Sequence, residues 1–169
     1  MIVILAISLI LVVVAGLLIS AETAISRISR SRVDDLEDTK ASLRLLSVLD
    51  DRPRFVNVLL FVSTVASITA FVLVSYHGMN WLVGGTNLPV VAAFAILASI
   101  LVVISYIGLG VAPRTLGRMH SERIALASAG PARFLAAILG PIATLLIHIG
   151  NALTPGRGFR QGPFDSQAE

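Results

Sequence analysis

The stretch IVILAISLILVVVAGLLISA, Ile2 to Ala21, holds twenty residues without one charge. At ~1.5 Å per residue a helix of that length crosses the ~30 Å hydrocarbon layer of a bilayer. A cleaved secretory signal would begin with basic residues and have a shorter apolar core. This run opens Met1-Ile2-Val3-Ile4 and meets its first Arg only at Arg27. It therefore predicts a retained helix whose N-terminus stays outside the cell.

Two further apolar runs follow. Phe55 to Tyr76 comes just after Arg52 and Arg54, and Leu88 to Ala112 comes just before Arg114, Arg118 and Arg123. The connection between them, His77 to Asn87, carries no charge and contains Gly78, Gly84, Gly85 and Trp81. It reads as an exterior turn with an aromatic anchor at the interface. All 13 basic residues then fall on one side of the three crossings, the side that Lys and Arg mark as cytoplasmic.

Composition agrees. With 56% hydrophobic and 14% charged residues in 169, the chain is too apolar for a soluble domain of this size. The absence of cysteine excludes disulfide scaffolds, thiolate metal sites and cysteine catalysis. A pI near 10.2 would suggest nucleic acid in a soluble protein. Here the basic residues flank apolar segments, so anionic lipid headgroups are the expected partner and nucleic acid is not.

The remaining segments predict an interfacial belt. Ser31 to Asp50 has Val33, Leu36, Leu43, Leu46 and Leu49 near helical spacing, with Asp34, Asp35, Glu37 and Asp38 early in it. That is the pattern of a surface helix whose acids complement the dipole at its start. Phe134 to Ile149 is sixteen residues interrupted by Gly140-Pro141, short for a span, and as a span it would export Arg157 and Arg160. A hairpin or broken helix at the cytoplasmic interface is expected instead. Thr154 to Glu169, with Pro155, Gly156, Gly158, Gly162 and Pro163, reads as a linker. The expected fold is an all-α integral membrane protein: a membrane domain over residues 1–153 and a cytoplasmic tail over 154–169. Its spans lie near 2–24, 55–76 and 88–112, and its juxtamembrane helices near 31–50 and 120–150.

Helices in lipid gain little from hydrophobicity, so their contacts are marked by small residues and bridging hydroxyls. Gly16, Ser20 and Ala24 recur at four-residue steps; Ser63, Ser67, Ala66 and Ala70 mark the second run, and Ala95 and Ser99 the third. These are packing seams, or else Ser20, Ser63 and Ser67, with Thr64 and Thr69 nearby, line a cation site. Magnesium takes oxygen ligands in near-octahedral geometry, and hydroxyls with freed carbonyls are what helices offer at membrane depth. A divalent ion also needs a carboxylate, and Glu22 is the acid that adjoins a span. Glu22 equally fits a plain salt bridge with Arg27 or a cap. Gly108, Gly110 and Pro113 weaken the end of the third run, freeing carbonyls toward a site or simply ending a helix. His77, His120 and His148 share no ligand spacing, and the acids Asp34 to Asp38 lack the glycine and final Glu of a calcium loop. With no phosphate-binding glycine loop and no nucleophile motif, the chain is not expected to be an enzyme.

Several of these residues resemble the transmembrane domain of the CNNM/CorC (hemolysin C-like) family. Ser20-Ala21-Glu22-Thr23-Ala24, followed by Ser26-Arg27-Ile28-Ser29-Arg30-Ser31-Arg32, looks like the family's Ser-x-x-Glu-Thr-Ala motif and Arg-rich exit from its first helix. Asp51-Arg52-Pro53-Arg54-Phe55 resembles the approach to the second helix, and Val111-Ala112-Pro113-Arg114-Thr115-Leu116 the Gly-Glu-Ile-x-Pro-Lys motif ending the third. The likeness runs over roughly residues 5 to 160. It implies three spans, an outside N-terminus, a cytoplasmic belt, homodimerisation in the plasma membrane and a magnesium site, with transport coupled or not to sodium. The departures are specific: the motif Glu falls at Gly110, its Gly at Leu109 and its Lys at Arg114. The Asn-rich segment of the second helix reads Val62-Ser63-Thr64-Val65-Ala66-Ser67.

The expected function is divalent-cation (magnesium) transport or homeostasis, with Ser20, Glu22, Ser63, Ser67 and Gly110 at the site. The alternative is a non-transporting scaffold or accessory subunit that binds another membrane protein. The family's cytoplasmic CBS-domain pair would begin where this sequence stops, so a separate CBS-domain protein is a further expected partner, whether the chain is a stand-alone module or part of a split or truncated protein.

Overall fold

The computed structural model describes residues 2–36, 39–86 and 88–153, with the backbone course alone for 146–153. The expected tail over 154–169, the acids Glu37 and Asp38, and the side chain of His148 lie outside these described residues. Everything described is helical or connecting, with no strand among the described residues. The elements are α1 (Ile2–Arg27), α2 (Arg30–Asp34), α3 (Lys40–Leu49), α4 (Arg52–Thr86), α5 (Val90–Ser105), a π-helix (Tyr106–Val111), α6 (Ala112–Met119) and α7 (Ser121–Leu153).

Four helical stretches are long and apolar enough to cross a membrane: Ile2–Arg27, Arg52–Thr86, Val90–Met119 and Ser121–Leu145. The expectation of three is thus not matched one for one, and the extra candidate is α7. The hairpin or break expected at Gly140-Pro141 is absent. The helix runs through both Pro131 and Pro141. Each proline removes one backbone bond to the residue four earlier, yet the flanking turns keep theirs, so the helix persists. Beside Pro141, the Thr144 hydroxyl donates to the Gly140 carbonyl at 2.9 Å.

Three other expectations are corrected. The exterior turn over 77–87 is helical as far as Thr86, making α4 35 residues long, about 52 Å at ~1.5 Å per residue. Interior glycines cost a helix only about 1 kcal/mol each, and the run stops where Pro89 cannot continue it; Pro89 precedes α5. The surface helix over 31–50 is two helices, and Asp34 and Asp35 stand at the end of α2 rather than at a helix start. Thr39 begins α3 instead, where its hydroxyl accepts from the Ser42 N–H at 3.2 Å and its own N–H donates to Ser42 Oγ at 2.9 Å, a reciprocal cap. Lastly, Pro113 does not end the third run. The π-turn before it widens the helix and moves aside the carbonyls with which its ring would clash.

The chain forms two compact units, one from the described residues up to Ser20 with Val62–Leu116, the other from Ala21–Phe61 with the described residues from Gly117 on. In the first, Ala15 of α1, Ala66 of α4 and Leu109 of the π-helix form a buried cluster, with Leu11, Val12, Ile19 and Phe71 packed against it. On α5 the buried positions are Ala93 and Leu97. Ala95 and Ser99, expected in the seam, are exposed, and Ser99 Oγ is turned back onto the Ala95 carbonyl at 2.8 Å. The sequence reading thus placed that seam two residues out of register.

In the second unit α3 packs along α7. The buried stripe of α7 is Ala125, Ala129, Ala132, Ala136, Gly140 and Ala143, spaced by three and four so that all fall on one face. Small side chains along the whole seam bring the helix axes close. Ile25, Leu45, Val33, Val48, Val56, Val58 and Leu59 fill the rest of this core. By contrast, Leu9, Ile10, Val13 and Leu17 of α1, and Val91, Phe94, Ile100, Val102 and Val103 of α5, are exposed. Their solvent is lipid, where helices satisfy their own backbone bonds.

Candidate functional site

In the first unit, the wall of small residues on α1 meets the π-helix. Gly16 and Ser20 are one turn apart and both buried. The Ser20 hydroxyl lies 3.0 Å from the Gly16 carbonyl oxygen and 2.9 Å from that of Pro113, and can donate to either. A Cβ on Gly16 would stand 3.5 Å from Pro113 Cγ and 3.6 Å from the Gly108 carbonyl oxygen. Three backbone carbonyls and one hydroxyl thus gather where α1 passes the π-helix.

Pro113 is what makes carbonyls available there. Lacking an N–H, it cannot bond Leu109 in the α register or Gly108 in the π register. The first residue past the π-turn, Ala112, donates five residues back, to the Ile107 carbonyl. The sequence reading of a weakened helix that frees carbonyls therefore describes this segment, although the helix continues beyond it.

The expected site residues are placed as follows. Ser63 is buried and Ser67 half-buried on α4, on either side of the core residue Ala66. The Ser67 hydroxyl donates to the Thr64 carbonyl of its own helix at 3.0 Å. Gly110 lies in the π-helix, half-buried, where a Cβ would meet only its own segment's Ser105 carbonyl at 3.7 Å. The first unit contains no Asp or Glu.

Glu22 belongs to the second unit, in a part of α1 where every residue from Ala21 to Ile25 is buried. Among the described residues its carboxylate receives two long contacts, from Thr23 Oγ1 at 3.4 Å and Ser26 Oγ at 3.5 Å. The ion pairs among the described residues are Arg30–Asp50, Arg32–Glu122 and Arg54–Asp51, and none includes Glu22. The salt bridge to Arg27 is not formed; Arg27 is exposed. A buried carboxylate is stabilised by positive charge, and among the described residues its contacts are hydroxyls.

Other polar features were not foreseen. Arg52 donates to the carbonyls of Ile28 at 2.7 Å and Ser26 at 3.4 Å, satisfying carbonyls that the end of α1 leaves without helical donors. Asn57 is buried within Phe55–Leu59, all of whose residues are buried; an amide inside an apolar run was the available signal. Among the described residues no group of three or more His, Cys, Asp or Glu could hold a metal.

Exposed apolar helices of spanning length, with polar groups gathered at internal seams, define a multi-pass helical membrane protein. Residues 6–169 match the family model described as the Cyclin M transmembrane N-terminal domain, CNNM, and the chain belongs to that family. It is 40% identical over 169 residues to UPF0053 protein Mb2387c of Mycobacterium bovis (strain ATCC BAA-935 / AF2122/97). It is likewise 40% identical to UPF0053 protein Rv2366c of Mycobacterium tuberculosis (strain ATCC 25618 / H37Rv). Each match covers 96% of this chain but 36% of the relative, so the chain spans little more than a third of those proteins.

Proposed function

We propose that the chain is the membrane domain of a divalent-cation transport or homeostasis protein, with magnesium as the ion carried. The observation that carries this reading is the gathering of Ser20 Oγ with the Gly16, Gly108 and Pro113 carbonyls at a π-helix. Hard oxygen donors suit magnesium, and the chain has no cysteine to supply the thiolates that softer metals favour. In the first unit Ser20, Ser63, Ser67 and the Gly110 segment supply neutral oxygens. Glu22, beside Thr23 and Ser26, is by itself a candidate acid in the second unit, since a divalent ion requires negative charge. The π-helix, with Gly108, Gly110 and Pro113, is the natural place for local bending during alternating access.

In this reading α1, α4 and the α5–α6 stretch are the three spans, the N-terminus is outside, and the protein is a homodimer of the plasma membrane. α7 lies on the cytoplasmic side. It is the least apolar of the four candidates, and Arg133 near the middle of Ser121–Leu145 would cost about 2.5–3.5 kcal/mol at the centre of a bilayer.

One observation favours a second reading. A first unit with no carboxylate also suits a non-transporting scaffold that binds another membrane protein or a separate CBS-type domain. Magnesium flux into proteoliposomes separates the two. Transport predicts flux that falls in Ser20→Ala, Ser67→Ala and Glu22→Gln. No magnesium-dependent flux, or flux unchanged in all three variants, rejects it, and copurification of a stoichiometric partner then supports the scaffold.

A further inference from the structure

The surface where α3 and α7 meet carries basic side chains that form no ion pair among the described residues. On α3, Lys40 and Arg44 are one turn apart, with Leu43 beside them, and all three are exposed. The Arg44 guanidinium reaches across to α7, where its Nη1 would lie 3.9 Å from a Cβ built on Gly130. Three residues further along α7 stands Arg133, also exposed, on the neighbouring turn of the same flank.

No ion pair among the described residues includes Lys40, Arg44 or Arg133. Asp50, Asp51 and Glu122 pair instead with Arg30, Arg54 and Arg32. Next to the basic group runs an apolar stripe on the face of α7 opposite its alanine seam: Phe134, Ile138, Ile142 and Leu145, all exposed. Exposed cations with no ion pair among the described residues, bordering a row of large apolar side chains, form the two-part surface that a phospholipid matches. The phosphate meets the guanidinium and ammonium groups, and the acyl chain meets the stripe.

We propose that the α3–α7 surface binds an anionic phospholipid, its phosphate held by Lys40, Arg44 and Arg133 and one acyl chain lying along Phe134, Ile138 and Ile142. Arginine suits a phosphate because its planar donors engage two oxygens at once. A soluble phosphate would use the cations but gain nothing from the stripe, and an acidic peptide would not require the acyl-length row.

The test is lipid retention by the full chain in nanodiscs and after detergent extraction. Native mass spectrometry would compare phosphatidylglycerol with phosphatidylcholine for the wild type, for Lys40→Gln/Arg44→Gln/Arg133→Gln, and for Arg30→Gln, which removes a cation paired with Asp50. The wild type and Arg30→Gln should retain phosphatidylglycerol selectively, and the triple variant should bind it about a hundredfold more weakly. Phe134→Ser/Ile138→Ser should weaken retention with every cation intact. Circular dichroism and size exclusion establish that each variant folds, and Arg44→Lys/Arg133→Lys, which keeps the charge and loses the planar fork, should bind more weakly than the wild type and more tightly than the triple variant. Equal retention by wild type and triple variant, no preference over phosphatidylcholine, or displacement of the lipid by millimolar inorganic phosphate would overturn the proposal.

Discussion

Ser20 is the residue on which the first unit's polar chemistry turns, because its single proton serves two carbonyls on different segments. Ser20→Ala removes that proton and with it the contact to the Pro113 carbonyl, a loss on the order of 0.5–1.5 kcal/mol. The thermal midpoint in detergent should fall, and magnesium flux with it. Gly110 offers the complementary test. A side chain there meets open surroundings, with Ser105 O at 3.7 Å as its nearest constraint, so Gly110→Glu restores an acid to a unit that has none. Magnesium should then raise the midpoint of Gly110→Glu more than that of the wild type. Tighter binding by about tenfold is expected from one charged ligand contact worth ~1.5–3 kcal/mol; no difference in magnesium response would remove Gly110 from the site. Ser20, Glu22 and the Gly108–Pro113 stretch stood out in the sequence, because hydroxyls, an acid and helix-weakening residues are conspicuous in or beside apolar runs. Pro113's carbonyl as a partner of Ser20 was not, since a backbone acceptor 93 residues away leaves no mark in composition.

At the scale of the element, periodicity located the long helices and misjudged where they stop. Glycines suggested a turn at 77–87 and prolines a break at 140–141, yet α4 and α7 run through both. Apolar surroundings explain this, since a backbone group left without a bond there costs more than a glycine or a lost proline donor. The α3 start was hidden for the opposite reason. A reciprocal Thr39/Ser42 cap competes with the acidic cluster as a helix signal, and the cap decided it. The alanine seam of α7 was present in the sequence as small residues three and four apart, obscured by the same prolines. Its tightness makes a sharp prediction. Ala132→Leu introduces three carbons at a position 1% exposed and should destabilise by about 1–3 kcal/mol, whereas Ala137→Leu, on an exposed face of the same helix, should be nearly neutral. Thermal unfolding in one detergent compares them, and equal midpoints would contradict close packing along that stripe.

For the whole molecule, the governing quantity is how many times the chain crosses the bilayer. Length and composition admit four crossings, while the arginines, Arg133 in particular, argue for three with α7 on the cytoplasmic side. The chain has no native cysteine, so single introduced thiols report sidedness without background. Gly84→Cys, Ser47→Cys and Arg160→Cys, probed in intact cells with a membrane-impermeant maleimide and again after permeabilisation, measure the topology directly. The account predicts labelling of Gly84→Cys in intact cells and of Ser47→Cys and Arg160→Cys only after permeabilisation. Labelling of Arg160→Cys from outside would make α7 a fourth crossing and contradict it.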